Sequence, residues 1–242
     1  MTDEQKMKAF AQNVMLTMTG KHMDTADLDS EDGAQFLIEL VDWTNQLLDE
    51  LELETDWNFV TELNATIGTV SSLTQTFPLP GMARKLAVNE HRPLHIKQDG
   101  SPVSTWDIVR PAMISASRDG YPLRDRVTFV GKNIVFSRDL NDGEMGGEVV
   151  ADVVNKIPRL DWVAGRPDNE NDLTVLDLIE PRQLLVTGVA KNATLPNFVR
   201  GKLSPSLVQK YADILGKAVA ENEATGTGDT YDVEDMNYGG TY

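Results

Sequence analysis

Two histidines four apart, His91 and His95, with Glu90 beside the first, come nearest in this chain to metal-ligand spacing. A zinc-binding helix presents two such imidazoles one turn apart on one face. Pro93 stands between them and denies the segment a continuous helix. On a strand the same spacing still sends both side chains to one side. A zinc site needs at least one more protein ligand, and the sequence indicates none, so both histidines read as surface strand residues. Residues 24–33 are dense in carboxylates and invite comparison with a calcium loop. That loop needs a glycine at its sixth position and a glutamate at its twelfth. Counted from Asp27, those positions hold Asp32 and Ile38, so the segment reads as an acidic helix entry, where carboxylates offset the helix dipole. Gly143, Gly146 and Gly147 lack both the GxGxxG spacing and the following Lys-Ser or Lys-Thr of a phosphate loop, and are read as a turn. Carboxylates are plentiful, yet nothing in the sequence fixes two of them in one pocket. The chain is therefore read as non-catalytic, with no cofactor and no metal.

Composition narrows the chemistry further. The 242 residues contain no cysteine and three histidines. Disulfides, thiolate metal sites and cysteine nucleophiles are excluded, and routes to a histidine-based site are few. The formal net charge is −16, the wrong sign for wrapping nucleic acid, which needs clustered Lys and Arg. It suits solubility, or a surface that lies close to DNA without adhering to it. No apolar run approaches bilayer-spanning length, and the charged stretch from Met1 to Lys8 is unlike a secretory signal.

The elements that would position these residues follow from periodicity. Met7, Phe10, Val14 and Met18 recur at helical spacing through residues 3–19, and Gly20 ends the run. Residues 34–53 carry the clearest helical stripe, from Phe36, Leu37 and Leu40 to Leu47, Leu48 and Leu51, with Trp43 at its edge as core or contact. From Thr66 the texture turns to Thr, Val and turn residues. Residues 66–77 read as extended and close at Pro78-Leu79-Pro80-Gly81; 84–88 and 92–97 read as strands, and Asp99-Gly100 as a turn. A hairpin is expected over 124–136, turning at Gly131-Lys132-Asn133. Residues 148–157 favour a strand by their four valines, with a helix as the alternative. A helix follows Pro181 through Leu184, Leu185, Val189 and Ala190. Another opens at Ser204-Pro205 and carries Leu207, Val208, Tyr211, Leu215 and Val219 on one side.

These readings assemble into an α+β fold: a helical bundle formed from the N- and C-terminal segments (1–65 plus 180–223), an inserted antiparallel β-rich module (66–179), and an extended C-terminal tail (224–242). The tail holds Tyr231, Tyr238 and Tyr242 among Asp232, Glu234 and Asp235, with no Lys or Arg. It cannot bury enough apolar surface to fold alone. Its tyrosines are the residue type favoured where one face is buried and the tip stays wet. These six residues are the expected partner-binding set: the tyrosines as anchors, the carboxylates paired with a basic surface.

The order of several motifs resembles the head-to-tail adaptor family of short-tailed bacteriophages, also called tail tubular protein A or head completion protein. An acidic amphipathic helix leads to Asp56-Trp57-Asn58-Phe59. A Thr-rich extended stretch then ends in Phe77-Pro78-Leu79-Pro80, before a strand near Lys85-Leu86. The hairpin at Asn133-Ile134-Val135-Phe136 precedes a Gly-rich turn and a Val-rich strand, and a helix near 182–193 precedes one containing Gln209-Lys210-Tyr211. The resemblance covers most of 34–220, though Pro78 separates the aromatic from the Leu-Pro and residues 98–123 align poorly. It implies a virion protein made in the host cytoplasm, joining a ring of about twelve copies beneath the portal protein. The ring would carry the tail nozzle protein, and DNA would pass through its lumen during genome ejection without specific binding. Another tail or head-completion role, such as a tail terminator or minor capsid protein, fits the same composition. A carboxylate-dependent hydrolase would need a pocket with perturbed carboxylates, and a ligand-binding module an apolar cleft in the β region.

Overall fold

Thr2 opens the first helix with a reciprocal cap: its hydroxyl accepts from the Gln5 backbone N–H, and the Gln5 side chain accepts from that of Thr2. Helix α1 (Asp3–Thr19) buries Met7, Phe10, Ala11 and Val14 and stops at Gly20, whose left-handed φ of 72° turns its N–H back onto the Leu16 carbonyl. A computed structural model describes residues 1–73, 76–87, 93–109, 114, 125–194 and 205–226. Over these residues the protein is mixed α/β, with six α-helices and a curled eight-stranded mixed sheet. The chain divides into two units, one built from Met1–Phe59 with the chain from Ile157 onward, the other from Val60–Lys156.

In the first unit, α2 (Thr25–Leu28) is a single turn leading into α3 (Glu31–Glu54), the longest helix. Ser30 caps α3 by accepting from Gly33 N–H, and Glu31 and Asp32 sit in its positive first turn. A Cβ on Gly33 would lie 2.2 Å from the Asp27 carbonyl, so only glycine lets the two helices meet this closely. Trp43 proves to be core: it is 9% exposed and meets Phe36 edge-on at 5.9 Å. Trp57 is 2% exposed, stacks on Phe59, and its indole N–H caps the Leu51 carbonyl, one of those α3 leaves unsatisfied. After α4 (Thr174–Leu178), α5 (Arg182–Thr194) packs against α1, α3 and α6 (Pro205–Gly226). The closest approach is at Gly188, where a methyl group would meet Leu47 of α3 at 2.6 Å and Tyr211 of α6 at 2.8 Å. Tyr211 and Leu207 are buried as the periodicity predicts, whereas Val208 turns outward.

The second unit is the sheet, whose strands are β1 (Thr61–Thr69), β2 (Thr76–Pro78), β3 (Ala83–Leu86), β4 (Leu94–Gln98), β5 (Ser101–Ile108), β6 (Arg126–Val130), β7 (Asn133–Phe136) and β8 (Glu148–Asn155). They lie in the order β1-β8-β4-β5-β6-β7-β2, with β3 also on β8. The valine-rich segment is therefore a strand, not a helix. β8 lies against β1 along one edge, and its other edge is shared by β4, at Glu148–Val150, and β3, at Val153–Asn155. Six consecutive buried residues in β8 match this central place. Asp99 and Gly100 both take positive φ and join β4 to β5, as the tightest hairpin loops require.

Two expectations need correction. The module is not wholly antiparallel: β5 and β6 pair in parallel. Residues 109–125, which separate them, are long enough for the crossover that parallel neighbours require. The extended segment starts at Thr61 rather than Thr66 and is two strands. Register shifts in β1 disturb the alternation by which a strand is read. The core of this unit gathers Trp106, Phe136, Phe77, Ile96, Leu94 and Val149, among others.

Candidate functional site

The densest polar constellation in the described residues is centred on Arg138, just beyond β7. Its guanidinium has five N–H donors, and all five are used. Nε and Nη2 grip the Asp125 carboxylate at 2.8 and 2.6 Å; Nη1 and Nη2 reach Glu144 at 3.1 and 3.0 Å; Nη1 also meets the Asp139 carbonyl at 2.9 Å. Its Cζ lies over the Trp106 ring, 4.3 Å from the centroid, within cation–π range. Trp106 in turn donates its indole N–H to Ser104 Oγ. Burial pushes the Glu144 carboxyl upward, but hydrogen bonds from Arg138, the Asn141 N–H and Ser104 outweigh it and hold the group below its ordinary range. The Arg138 guanidinium is stabilised in its charged form by Asp125 and Glu144, against the effect of burial. These carboxylates are committed to an ion-paired clamp that fastens the turn after β7 to β5 and to the entry of β6.

The glycines of that turn serve the same end. A short 3-10 segment (Asp142–Glu144) precedes Gly146 and Gly147, and a Cβ on Gly147 would lie 2.5 Å from the Ile96 side chain. His95 is on β4, half-buried, with Nδ1 3.1 Å from Thr105 Oγ1 on β5. Burial, then the Lys97 charge, lowers its pKa, with Asp152 opposing. Glu90 and His91 lie outside the described residues. The acidic entry at 24–33 spends its side chains on helix ends and on an ion pair between Lys8 and Asp29. Among the described residues no group of three or more His, Asp or Glu is arranged to hold a metal.

Neither protein-family models nor curated proteins match this chain.

The expected partner-binding residues, Tyr231, Asp232, Glu234, Asp235, Tyr238 and Tyr242, lie outside the described residues. The structure instead draws attention to α3. Its exposed residues Glu31, Gln35, Ile38, Asp42, Gln46, Asp49 and Leu53 share one face along the whole helix. On that face Asp49 pairs with Arg159, and on its flank Glu50 pairs with Lys191, whose ammonium also lies 4.6 Å from the Tyr211 ring. Burial and the nearby Glu50 and Glu54 push the Tyr211 hydroxyl pKa upward. Sequence reading identified the α3 helix but missed the Arg138 clamp. Asp125, Arg138 and Glu144 follow no local period, and Trp106 sits in a stretch assigned to no element; its lone signal was a tryptophan amid turn-rich sequence. No helix among the described residues is long and apolar enough to cross a membrane.

Proposed function

We propose that the chain is a structural subunit of the phage virion, the head-to-tail adaptor that stacks as a ring beneath the portal and carries the tail nozzle. The finer fold in this reading is a helical bundle drawn from both ends of the chain, with the sheet as the module presented to the next tail component. The observation that carries it is order: the motifs of the resemblance fall on successive elements. The acidic helix is α3, the Trp segment caps its end, and the extended stretch with Phe77-Pro78 is β1 and β2. The Lys85-Leu86 strand is β3, the hairpin is β6–β7, and the valine strand is β8; the two late helices are α5 and α6. The acidic surplus supports a conduit that exiting DNA slides past rather than binds. The tail at 224–242 docks on the portal or a neighbouring subunit through its tyrosines and carboxylates; deleting it with portal attachment unchanged removes that part of the reading.

The deciding experiment mixes the purified full chain with its own phage's portal ring and images the product by electron microscopy. A second ring stacked under the portal is the expected result, and its symmetry gives the subunit count. A folded chain that leaves a competent portal bare overturns the adaptor reading.

A further inference from the structure

Charge is segregated along this chain more sharply than its total suggests. From His22 to Ala83 there are thirteen Asp and Glu and no Lys or Arg. From Arg182 to Lys217 there are six Lys and Arg and one acid, Asp213. The first stretch builds α2 and α3; the second builds α5 and the first half of α6. Part of this opposition is satisfied within the unit, where Lys191 of α5 meets Glu50 of α3 at 2.6 Å. The outward face of α3 is satisfied only in part among the described residues, through the pairing of Asp49 with Arg159. Glu31, Asp32 and Asp42 on α3 are exposed and make no ion pair among the described residues, and the same holds for Lys210 and Lys217 on α6. On the same face of α3, Ile38 lies one turn before Asp42 and Leu53 three turns after it, and they are 55% and 87% exposed.

We propose that a second copy of the chain occupies the outer face of α3, seating the Lys210–Lys217 face of its α6 against Asp42 and its neighbours. Two α3 faces repel each other, as do two lysine faces, so each contact sets α3 of one copy against α6 of another; the proposed form is the head-to-tail one, in which any two copies make that contact once. Each added copy leaves one acidic and one basic face unused. Such a contact propagates, and closes into a ring when the rotation per copy divides the circle. The inference rests on the structural-subunit reading above and names the partner surface within it.

The absence of cysteine makes the test direct. Gln46→Cys places a thiol on the α3 face, and Asp213→Cys places one on α6 a turn from each lysine; both positions are exposed. Under mild oxidation of the full chain, a mixture of the two single variants gives a dimer. The variant carrying both gives a ladder of dimers, trimers and larger species. Adding K210E and K217E cuts the ladder roughly tenfold, as raising salt does by screening the contact, and adding D42K as well restores it. Circular dichroism of each variant verifies that the helices are retained. The proposal is overturned by a ladder no stronger than the products of V130C, an exposed control on β6, by a Q46C dimer as abundant as the mixed one, or by indifference to K210E/K217E. Portal imaging separates the two readings. Rings on the portal without the ladder retain the adaptor and discard this interface; a ladder with a bare portal retains the interface and discards the adaptor.

Discussion

Arg138 shows how much one side chain holds in this protein. Glu144 is 2% exposed, and a carboxylate there is tolerable because a guanidinium, a backbone N–H and a hydroxyl surround it. Replacing Arg138 with Met keeps the stem over Trp106 but strands Glu144. The expected cost is about 3 kcal/mol, measured as a lowered urea midpoint at neutral pH. The pH dependence follows from the direction of the Glu144 shift. A carboxyl whose folded pKa lies below its unfolded value contributes stability that is full above pH 4.5, the ordinary value for Glu. That contribution is lost as pH falls through the folded pKa. Glu144→Gln is therefore expected to be less stable than the natural chain at pH 7 and to lose less further stability on acidification. Urea denaturation across pH 2–7 compares the two slopes, and parallel curves would dissociate Glu144 from the acid sensitivity.

At the scale of elements, two helical glycines with the same propensity cost have opposite roles. Gly188 of α5 leaves no room for a methyl, because Leu47 and Tyr211 close over it, whereas Gly216 of α6 faces open space. Gly188→Ala is expected to destabilise the protein by about 1–3 kcal/mol through overpacking. Gly216→Ala should stabilise it by about 0.5–1 kcal/mol, the ordinary gain of alanine over glycine in a helix. Thermal melts of the two variants test the contrast, and equal shifts in one direction would contradict the packing described for α5. The far end of α6 is tied by side chains rather than by apolar burial. Asn222 accepts from Asn58 N–H and donates to the Asp56 carbonyl, and its own carbonyl accepts from Asn58 Nδ2.

For the whole molecule, the decisive feature is where the β unit leaves and rejoins the chain. Thr61 at the start of β1 pairs with Val154 near the end of β8, so its two ends are neighbours. Its core is assembled from its own residues, with Trp106 and Phe136 edge-on at 4.7 Å. A continuous segment with adjacent ends and its own core meets the conditions for independent folding. The fragment 60–156 is expected to give a dispersed NMR spectrum with a cooperative melt. A collapsed spectrum would mean that its stability depends on the rest of the chain.

The sequence alone determined the features that depend on near neighbours. The α1 run and its stop at Gly20, the broad stripe of α3, the hairpin at Gly131-Lys132 and the turn at Asp99-Gly100 all follow from local period and backbone preference. So does the acidity of α3, which composition states outright. Strand β5 was not legible, because Pro102 and the single fully buried residue, Trp106, leave no alternating pattern. The full span of β1 was blurred by its register shifts, and the parallel β5–β6 pair is invisible to any local rule. Tertiary structure alone brought Asp125, Arg138 and Glu144 together over Trp106, and set Leu47 and Tyr211 against Gly188. Those contacts join residues far apart in the chain. Local preference acts over a few neighbouring residues, whereas the burial and ion pairing that create these contacts are settled only once the chain has closed on itself.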